Sequence, residues 1–389
     1  MWLLVLTFLI VTLFIGWTLF GYYLLLAFIA LSREKKNVTL PAHFPRVTIL
    51  IPCYNEETLI EEKLRNLQEL DYPGELLEVL FADGGSTDRT LALIERATLT
   101  DKRFRAVPCP ARGKISQLNH VLPLASGEII VNTDADARLA KDALLWLAAE
   151  FSADTGVMAV GAFCSPGDTL AVERHYWTSQ NKGRFLESDA CTSSIVIAPC
   201  YAFRKELLAA FPDDVVADDV YVAYLANTKG YRVSYSRNAR AFETRVPRSL
   251  GEFIPHKFRK SNAVLRESLR FIYLLPSMGS FFKMMLLTRI FQQLFLPWTL
   301  LLWCLLAGML LTLSRYDIVA FSLVFLVGLL AATSLLFSRV ALPGAEERHS
   351  LGTMLSVYLL TNLLMLSTGL TYPFYRQDSF YRRLGTTET

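Results

Sequence analysis

From Trp2 to Leu31 the chain carries no charged side chain, and the first to appear is Arg33. At ~1.5 Å of rise per residue this run is longer than the ~20 residues a helix needs to cross a bilayer. A cleaved signal peptide would show a basic start and a shorter apolar stretch, so residues 1–31 read as an uncleaved transmembrane anchor. Three further apolar runs approach spanning length: Leu294 to Leu313, Ile318 to Phe337, and about Leu355 to Leu370. Reading them as buried core helices would require three such runs in succession within one soluble domain. The 52% hydrophobic content is therefore concentrated at the two ends, around a region of mixed polarity at about 41–276.

The expected organisation is an anchor at 1–31, a working domain at 41–245, a basic interfacial segment at 246–293, about three transmembrane helices at 294–373, and a tail at 374–389. Arg33, Lys35 and Lys36 follow the anchor directly, which by the positive-inside rule puts the working domain in the cytoplasm. The expected location is the inner (cytoplasmic) membrane, with several passes. Three later spans would leave the C-terminus outside, whereas Arg376, Arg382 and Arg383 favour the inside. The segment Phe281 to Gln293, with Lys283 and Arg289 among apolar residues, lies in the interface or re-enters, and either arrangement changes the count. The six cysteines form no CxxC pair and do not cluster with histidine, so neither disulfides nor zinc are expected.

Within the polar region strands and helices alternate. Val47–Ile51, Leu77–Phe81, Phe104–Val107 and the run from Glu128 have strand character; Glu56–Leu70, Thr90–Ala97 and Ile115–Ala125 have helical spacing. Such alternation predicts an α/β, Rossmann-like, mostly parallel sheet, with ligands bound beyond the carboxyl ends of its strands. Three polar motifs fall at those ends: Pro52-Cys53-Tyr54-Asn55-Glu56, the turn Asp83-Gly84-Gly85-Ser86-Thr87-Asp88, and Asp134-Ala135-Asp136.

Two carboxylates one residue apart at a strand terminus can share a hard cation and a diphosphate, although acids also end strands simply by solvating turns. Tyr54 offers a flat ring to a nucleobase, and Glu56 and Asp83 offer acceptors to base N–H groups or ribose hydroxyls. The Asp83 turn is equally consistent with a plain turn and helix cap. Arg112-Gly113-Lys114 precedes a helix start, where a cation and backbone N–H groups meet phosphate, or forms a solvated basic loop. Of Asp218-Asp219, at the start of another helical stretch, one acid can cap the helix while the other acts as a general base. Downstream, basic residues from Arg237 to Arg270 far outnumber acids. Attraction to an anionic leaflet accounts for them, and His256, Arg259 and Lys260 can also serve a departing diphosphate. The stretch Ala171 to Phe185 is amphipathic enough to line an acceptor groove, or to be an ordinary packed helix.

Together these motifs resemble the membrane-integrated family 2 glycosyltransferases of GT-A fold, the type that includes hyaluronan, chitin, cellulose and poly-N-acetylglucosamine synthases. The resemblance covers about Val47 to Lys260. It implies that Tyr54, Glu56, Asp83, Lys114, Asp134 and Lys260 bind the donor, and that Asp136, with Asp134, binds Mg²⁺ or Mn²⁺. It further implies Asp219 as base beside Asp218, Arg259 at the leaving group, and Ala198, Pro199 and Arg204 on the acceptor side. Gly84 stands where the family has a second acid, and Ala198 where a glycine is usual. Of the Gln-x-x-Arg-Trp motif that supports growing chains, only Arg259 carries over, within His256-Lys257-Phe258-Arg259-Lys260.

The function so implied is inverting transfer of a sugar from a nucleotide-diphosphate donor to a hydroxyl of a glycan or lipid-linked acceptor. A uridine nucleotide is the default and guanosine is left open. The expected partners are the donor, the acceptor, membrane lipid and an export or accessory subunit, with no nucleic acid. A processive polysaccharide synthase, a nucleotidyltransferase and a non-catalytic scaffold with a degenerate GT-A domain are the rivals.

Overall fold

The computed structural model describes residues 1–34, 37–344 and 351–375. Lys35, Lys36 and the tail arginines Arg376, Arg382 and Arg383 lie outside the described residues.

Eight strands among the described residues form one sheet: β1 (Val47–Cys53), β2 (Leu77–Asp83), β3 (Phe104–Pro108), β4 (Ile129–Asn132), β5 (Ala137–Leu139), β6 (Val157–Pro166), β7 (Tyr201–Arg204) and β8 (Arg232–Glu243). Their order is β3-β2-β1-β4-β7-β6-β8-β5. The half from β3 to β4 is parallel throughout. In the other half β7 runs antiparallel to β4 and β6, β8 is parallel to β6, and β5 is antiparallel to β8.

Both faces of the parallel half are covered, so its strands are continuous apolar runs, and every residue of β1 is buried. Alternate side chains divide between two cores. Ile49, Ile51, Val79 and Phe81 point to one side, where Ile60, Leu64 and Leu67 of the helix Glu57–Gln68 cover them. Leu50, Leu80 and Ala82 point to the other, beneath Ile115, Leu118 and Val121 of the helix Lys114–Val121. The period-two strand pattern and the 3.6-residue helical pattern thus meet on each face.

Among the described residues three helices are long and apolar enough to cross a membrane: Trp2–Leu31, Ser280–Thr312 and Tyr316–Arg339. The first has a π-helical turn at Trp17–Gly21 and the second one at Phe291–Phe295. Here the structure departs from the expected boundary at 293/294. The segment Phe281 to Gln293 is the first part of the continuous helix Ser280–Thr312. At ~1.5 Å per residue that helix is ~50 Å long, which leaves Lys283 and Arg289 toward the catalytic domain. Gln292 Nε2 donates to Thr18 O at 2.7 Å, joining the two π-turns, and Trp303 Nε1 donates to Thr12 Oγ1 at 2.8 Å. A further helix, Leu351–Thr371, packs against Ala171–Ala190 and Leu250–Arg270 and so ties the apolar helices to the α/β domain.

Candidate active site

The first polar motif sits just past the end of β1. Asn55 adopts a left-handed conformation with φ 50°, which an asparagine tolerates at a sharp turn. Its Oδ1 accepts from Thr87 N at 2.8 Å and its N donates to Ser86 Oγ at 2.9 Å, so the loops after β1 and β2 are closed onto each other. Arg112 lies over the Tyr54 ring, 4.0 Å from its centroid, and covers one face of the ring expected to stack on a base. Of the two readings of Asp83, its contacts match the turn. It is buried, and its carboxylate accepts from Gly85 N, Ser86 N and Ser86 Oγ of its own turn, at 3.1, 3.0 and 2.5 Å. In this structure it organises the turn and does not line the cleft.

The acidic pair follows β4. Lys63, fully buried, donates from Nζ to Thr133 Oγ1 at 3.0 Å and to Ala137 O at 2.6 Å, and so grips both shoulders of the Asp134–Asp136 turn. Burial pushes the Lys63 ammonium down to about 8. Burial first, and then the neighbouring Asp134, push the Asp136 carboxyl up to about 6. Arg245, just past β8, approaches Asp136 Oδ2 at 3.5 Å and Glu56 Oε2 at 2.8 Å. Among the described residues no group of three or more His, Cys, Asp or Glu could hold a metal. The hard oxygen pair Asp134/Asp136 still fits a divalent cation that completes its shell with diphosphate oxygens and water.

Opposite this pair is the start of the helix Asp218–Thr228. Asp218 is buried and saturated: it accepts from Tyr201 OH at 2.6 Å and Asn132 Nδ2 at 2.7 Å, and Lys114 Nζ lies 3.1 Å away. Lys114 Nζ also stands 2.8 Å from Asp134 Oδ1, joining the two acidic sites. Asp219 is half-buried and accepts from Ala198 N at 3.1 Å. Desolvation, then the charge of Asp218, raise its carboxyl to about 6. The two acids are therefore differentiated: Asp218 is saturated by hydrogen bonds, whereas Asp219 is half-buried with a raised carboxyl.

Ala198 and Pro199 line the same cleft. Arg204 does not. At the far end of β7 it pairs with Ile129, the first residue of β4, and its guanidinium donates to the Val157 and Phe151 carbonyls. Because β7 runs antiparallel to β4, residues only five apart reach opposite ends of the sheet.

Arg259 and Lys260 line the cleft, with Lys260 Nζ 3.4 Å from Glu243. His256 also lines it, but burial and the surrounding Lys260, Lys257 and Arg259 push its imidazolium far below its ordinary range. Its cationic form is thus disfavoured, which leaves the positive charge of this segment to its neighbours.

Tyr54, Glu56, Lys114, Asp134, Asp136, Asp219, Arg245 and Arg259 face one cavity of about 1690 Å³. It extends to the apolar C-terminal helices at Gln292, Gln293, Thr333, Ser334, Thr361 and Asn362. The amphipathic helix Ala171–Ala190 forms part of the wall between the two ends, with His175, Tyr176 and Arg184 among the lining residues. A volume above the ~300–1,000 Å³ of single-ligand pockets has room for two substrates.

Residues 48–211 match the model of Glycosyl transferase family 2. This is a family 2 glycosyl transferase domain. A mannosyltransferase of Pyrobaculum calidifontis, PcManGT, solved in complex with GDP-Man and Mn²⁺, superposes with a TM-score of 0.68 at 26% identity. The match covers 94% of this chain and 98% of that one, so the likeness extends beyond the glycosyl transferase domain to the apolar helices. An N-acetylglucosaminyltransferase of Rhizobium leguminosarum bv. viciae is 24% identical over 255 residues, 61% of this chain and 60% of that protein. A beta-monoglucosyldiacylglycerol synthase of Nostoc sp. is 34% identical over 146 residues, 37% of this chain and 30% of that protein. The chain thus spans about 60% of the length of the first of these curated relatives.

The sequence reading missed Lys63 and Arg245. Lys63 had a signal, since it falls on the apolar stripe of its helix with Ile60, Leu64 and Leu67. Arg245 had none beyond membership of a basic stretch.

Proposed function

We propose that the chain is an inverting glycosyltransferase of the inner membrane. It would move a sugar from a nucleotide-diphosphate donor to a hydroxyl of a lipid-linked acceptor, with its catalytic domain facing the cytoplasm. The observation that carries this reading is the single cavity with Asp134, Asp136 and Asp219 at one end and polar groups of the apolar helices at the other.

Asp136, supported by Asp134, would hold Mg²⁺ or Mn²⁺, which when bound supplies positive charge to the diphosphate. Tyr54 and Glu56 bind the nucleoside. Lys114, Arg259 and Lys260 stabilise the charge that develops on the leaving diphosphate. Asp219 takes the proton of the acceptor hydroxyl as that oxygen bonds to the anomeric carbon. The bond from that carbon to the diphosphate oxygen breaks on the opposite face, so the configuration inverts. Asp218 holds Lys114 and the helix start in place.

The Mn²⁺ and GDP-Man of the Pyrobaculum mannosyltransferase and the diacylglycerol-linked product in the Nostoc relative's name both support this reading. The first also favours guanosine over the uridine default. A second reading, a polysaccharide synthase with an export or accessory subunit, draws on the N-acetylglucosaminyltransferase relatives.

The test uses detergent-purified full-length chain, membrane lipid, Mn²⁺ or Mg²⁺ and a panel of nucleotide sugars. Nucleoside diphosphate release is followed and the product is sized. Asp219→Asn should lower turnover ~10²–10⁴-fold while leaving nucleotide binding intact. A short, lipid-extractable product is expected. A high-mass polymer would transfer the assignment to the synthase, and no release with any donor would overturn it.

A further inference from the structure

Arg245 belongs to none of the recognised motifs, yet it stands at the junction of the two halves of the cleft. Its guanidinium makes a two-pronged contact with Glu56, Nη2 to Oε2 at 2.8 Å and Nη1 to Oε1 at 3.5 Å, and the same Nη1 lies 3.5 Å from Asp136 Oδ2. Glu56 belongs to the loop after β1 that would hold the nucleoside, and Asp136 to the turn after β4 that would hold the cation. One side chain therefore bridges the two sites between which a diphosphate has to lie. Its exposure of 19% keeps it at the cleft wall, with Glu56 at 3% beneath it and Asp136 at 21% beside it.

The backbone of Arg245 is fixed to the acidic turn. Thr244 N and Oγ1 both donate to Asp136 O, at 3.2 and 2.5 Å, and β5 and β8 pair at Ala137 and Glu243. Only the side chain is free to respond when ligands arrive. Its two contacts are unequal: Nη2 makes a charge-assisted hydrogen bond to Glu56 at 2.8 Å, whereas the approach of Nη1 to Asp136 is 3.5 Å. The Asp136 contact is the one that yields.

We infer that Arg245 is a donor-binding residue that exchanges partners. In the empty cleft it acts as the counter-cation of Asp136. When Asp136 takes up a divalent cation, Arg245 keeps Glu56 and turns Nη1 to the diphosphate of the nucleotide sugar. The physical reason is charge. Two cations cannot share Asp136 at this range in a partly desolvated cleft, and the diphosphate delivers negative oxygens within reach of the displaced nitrogen. Arg245 thereby couples cation and nucleotide: each favours the arginine position that admits the other. This inference rests on the nucleotide-sugar reading above.

The test is made on detergent-purified full-length protein. Mn²⁺ binding without nucleotide is measured by electron paramagnetic resonance, and UDP and GDP binding by calorimetry with and without Mn²⁺. In Arg245→Gln, Mn²⁺ alone should bind about tenfold more tightly, because its competitor at Asp136 is gone. The nucleotide bound by the wild type should bind about tenfold more weakly at saturating Mn²⁺. Arg245→Lys keeps the charge without the fork, so its nucleotide affinity should fall between the two; a melting curve of each variant checks that it is folded. Unchanged Mn²⁺ and nucleotide affinities in both variants would overturn the exchange. So would a parallel loss of both affinities, which would make Arg245 a structural prop for Asp136. A wild-type chain that binds neither UDP nor GDP with Mn²⁺ overturns the nucleotide-sugar reading together with this one, whereas normal wild-type binding with unaltered variants overturns this one alone.

Discussion

Lys114 Nζ stands 2.8 Å from Asp134 Oδ1, so the helix that starts after β3 is bound to the acidic turn after β4. The same ammonium reaches Asp218 at 3.1 Å, and one charge thereby serves both acidic sites of the cleft. In Lys114→Met, buried Asp218 would keep only Asn132 and Tyr201 as donors, and the leaving group would lose a cation. A hydrogen bond to a charged group is worth ~1.5–3 kcal/mol, so kcat/KM for the donor should fall ~10–100-fold. A nucleoside diphosphate release assay measures this, and an unchanged kcat/KM would remove Lys114 from the donor site.

The raised carboxyl of Asp219 fixes the direction of the pH dependence. Its working form is the carboxylate. Activity should be full above about pH 6 and fall as the pH drops through that value, where an ordinary aspartate would hold activity down to about 4. Rates taken at saturating Mn²⁺ isolate this group. An acid limb near 4 would mean that Asp219 is not the base.

Lys63 clamps the acidic turn from below. Lys63→Ala removes its bonds to Thr133 and Ala137 and leaves a void, an expected cost of ~2–4 kcal/mol. The sign of its pH dependence follows from an ammonium held at about 8 in the folded chain. Below 8 both states carry the proton and the full cost of burying the charge is present. Between about 8 and 10.5 the folded state sheds a proton that the unfolded state keeps, so stability gains with rising pH. Lys63→Met should lose that gain, and thermal unfolding across pH 7–10.5 tests it.

The membrane end of the cavity gives a separate prediction. Thr333 and Thr361 line it from two different helices. Thr333→Trp or Thr361→Trp would fill the space proposed for the acceptor without touching the cleft of Asp136 and Asp219. Transfer to the lipid acceptor should fall at least tenfold while UDP or GDP binding is unchanged. Loss of both would point to misfolding, and loss of neither would place the acceptor elsewhere.

The parallel half of the sheet was readable in the sequence because its strands are short apolar runs bounded by turn residues, and local pattern reports local structure. The acidic pair was readable for the same reason: Asp134 and Asp136 follow the strand β4 by necessity of chain order. Arg204 was misplaced for the converse reason. Its distance from Ala198 along the chain is short, but the antiparallel course of β7 carries it to the other end of the sheet. Gly84, read as a departure from the acidic turn of the family, has a tertiary cause. A Cβ there would come within 3.0 Å of Gln117 Nε2, and that amide is fixed by its bonds to Cys53 O and Ala82 O at 2.7 and 2.6 Å.

The sequence by itself determined the apolar ends, the α/β alternation and the acids at the strand ends, because hydrophobic period and chain order are local properties. Only the tertiary structure decided which acid is saturated and which is left half-buried with a raised carboxyl, that Lys63 and Arg245 attend the acidic turn, and that one cavity runs from Asp136 to the apolar helices. These depend on desolvation and on charges brought together from distant parts of the chain, which no spacing along it encodes.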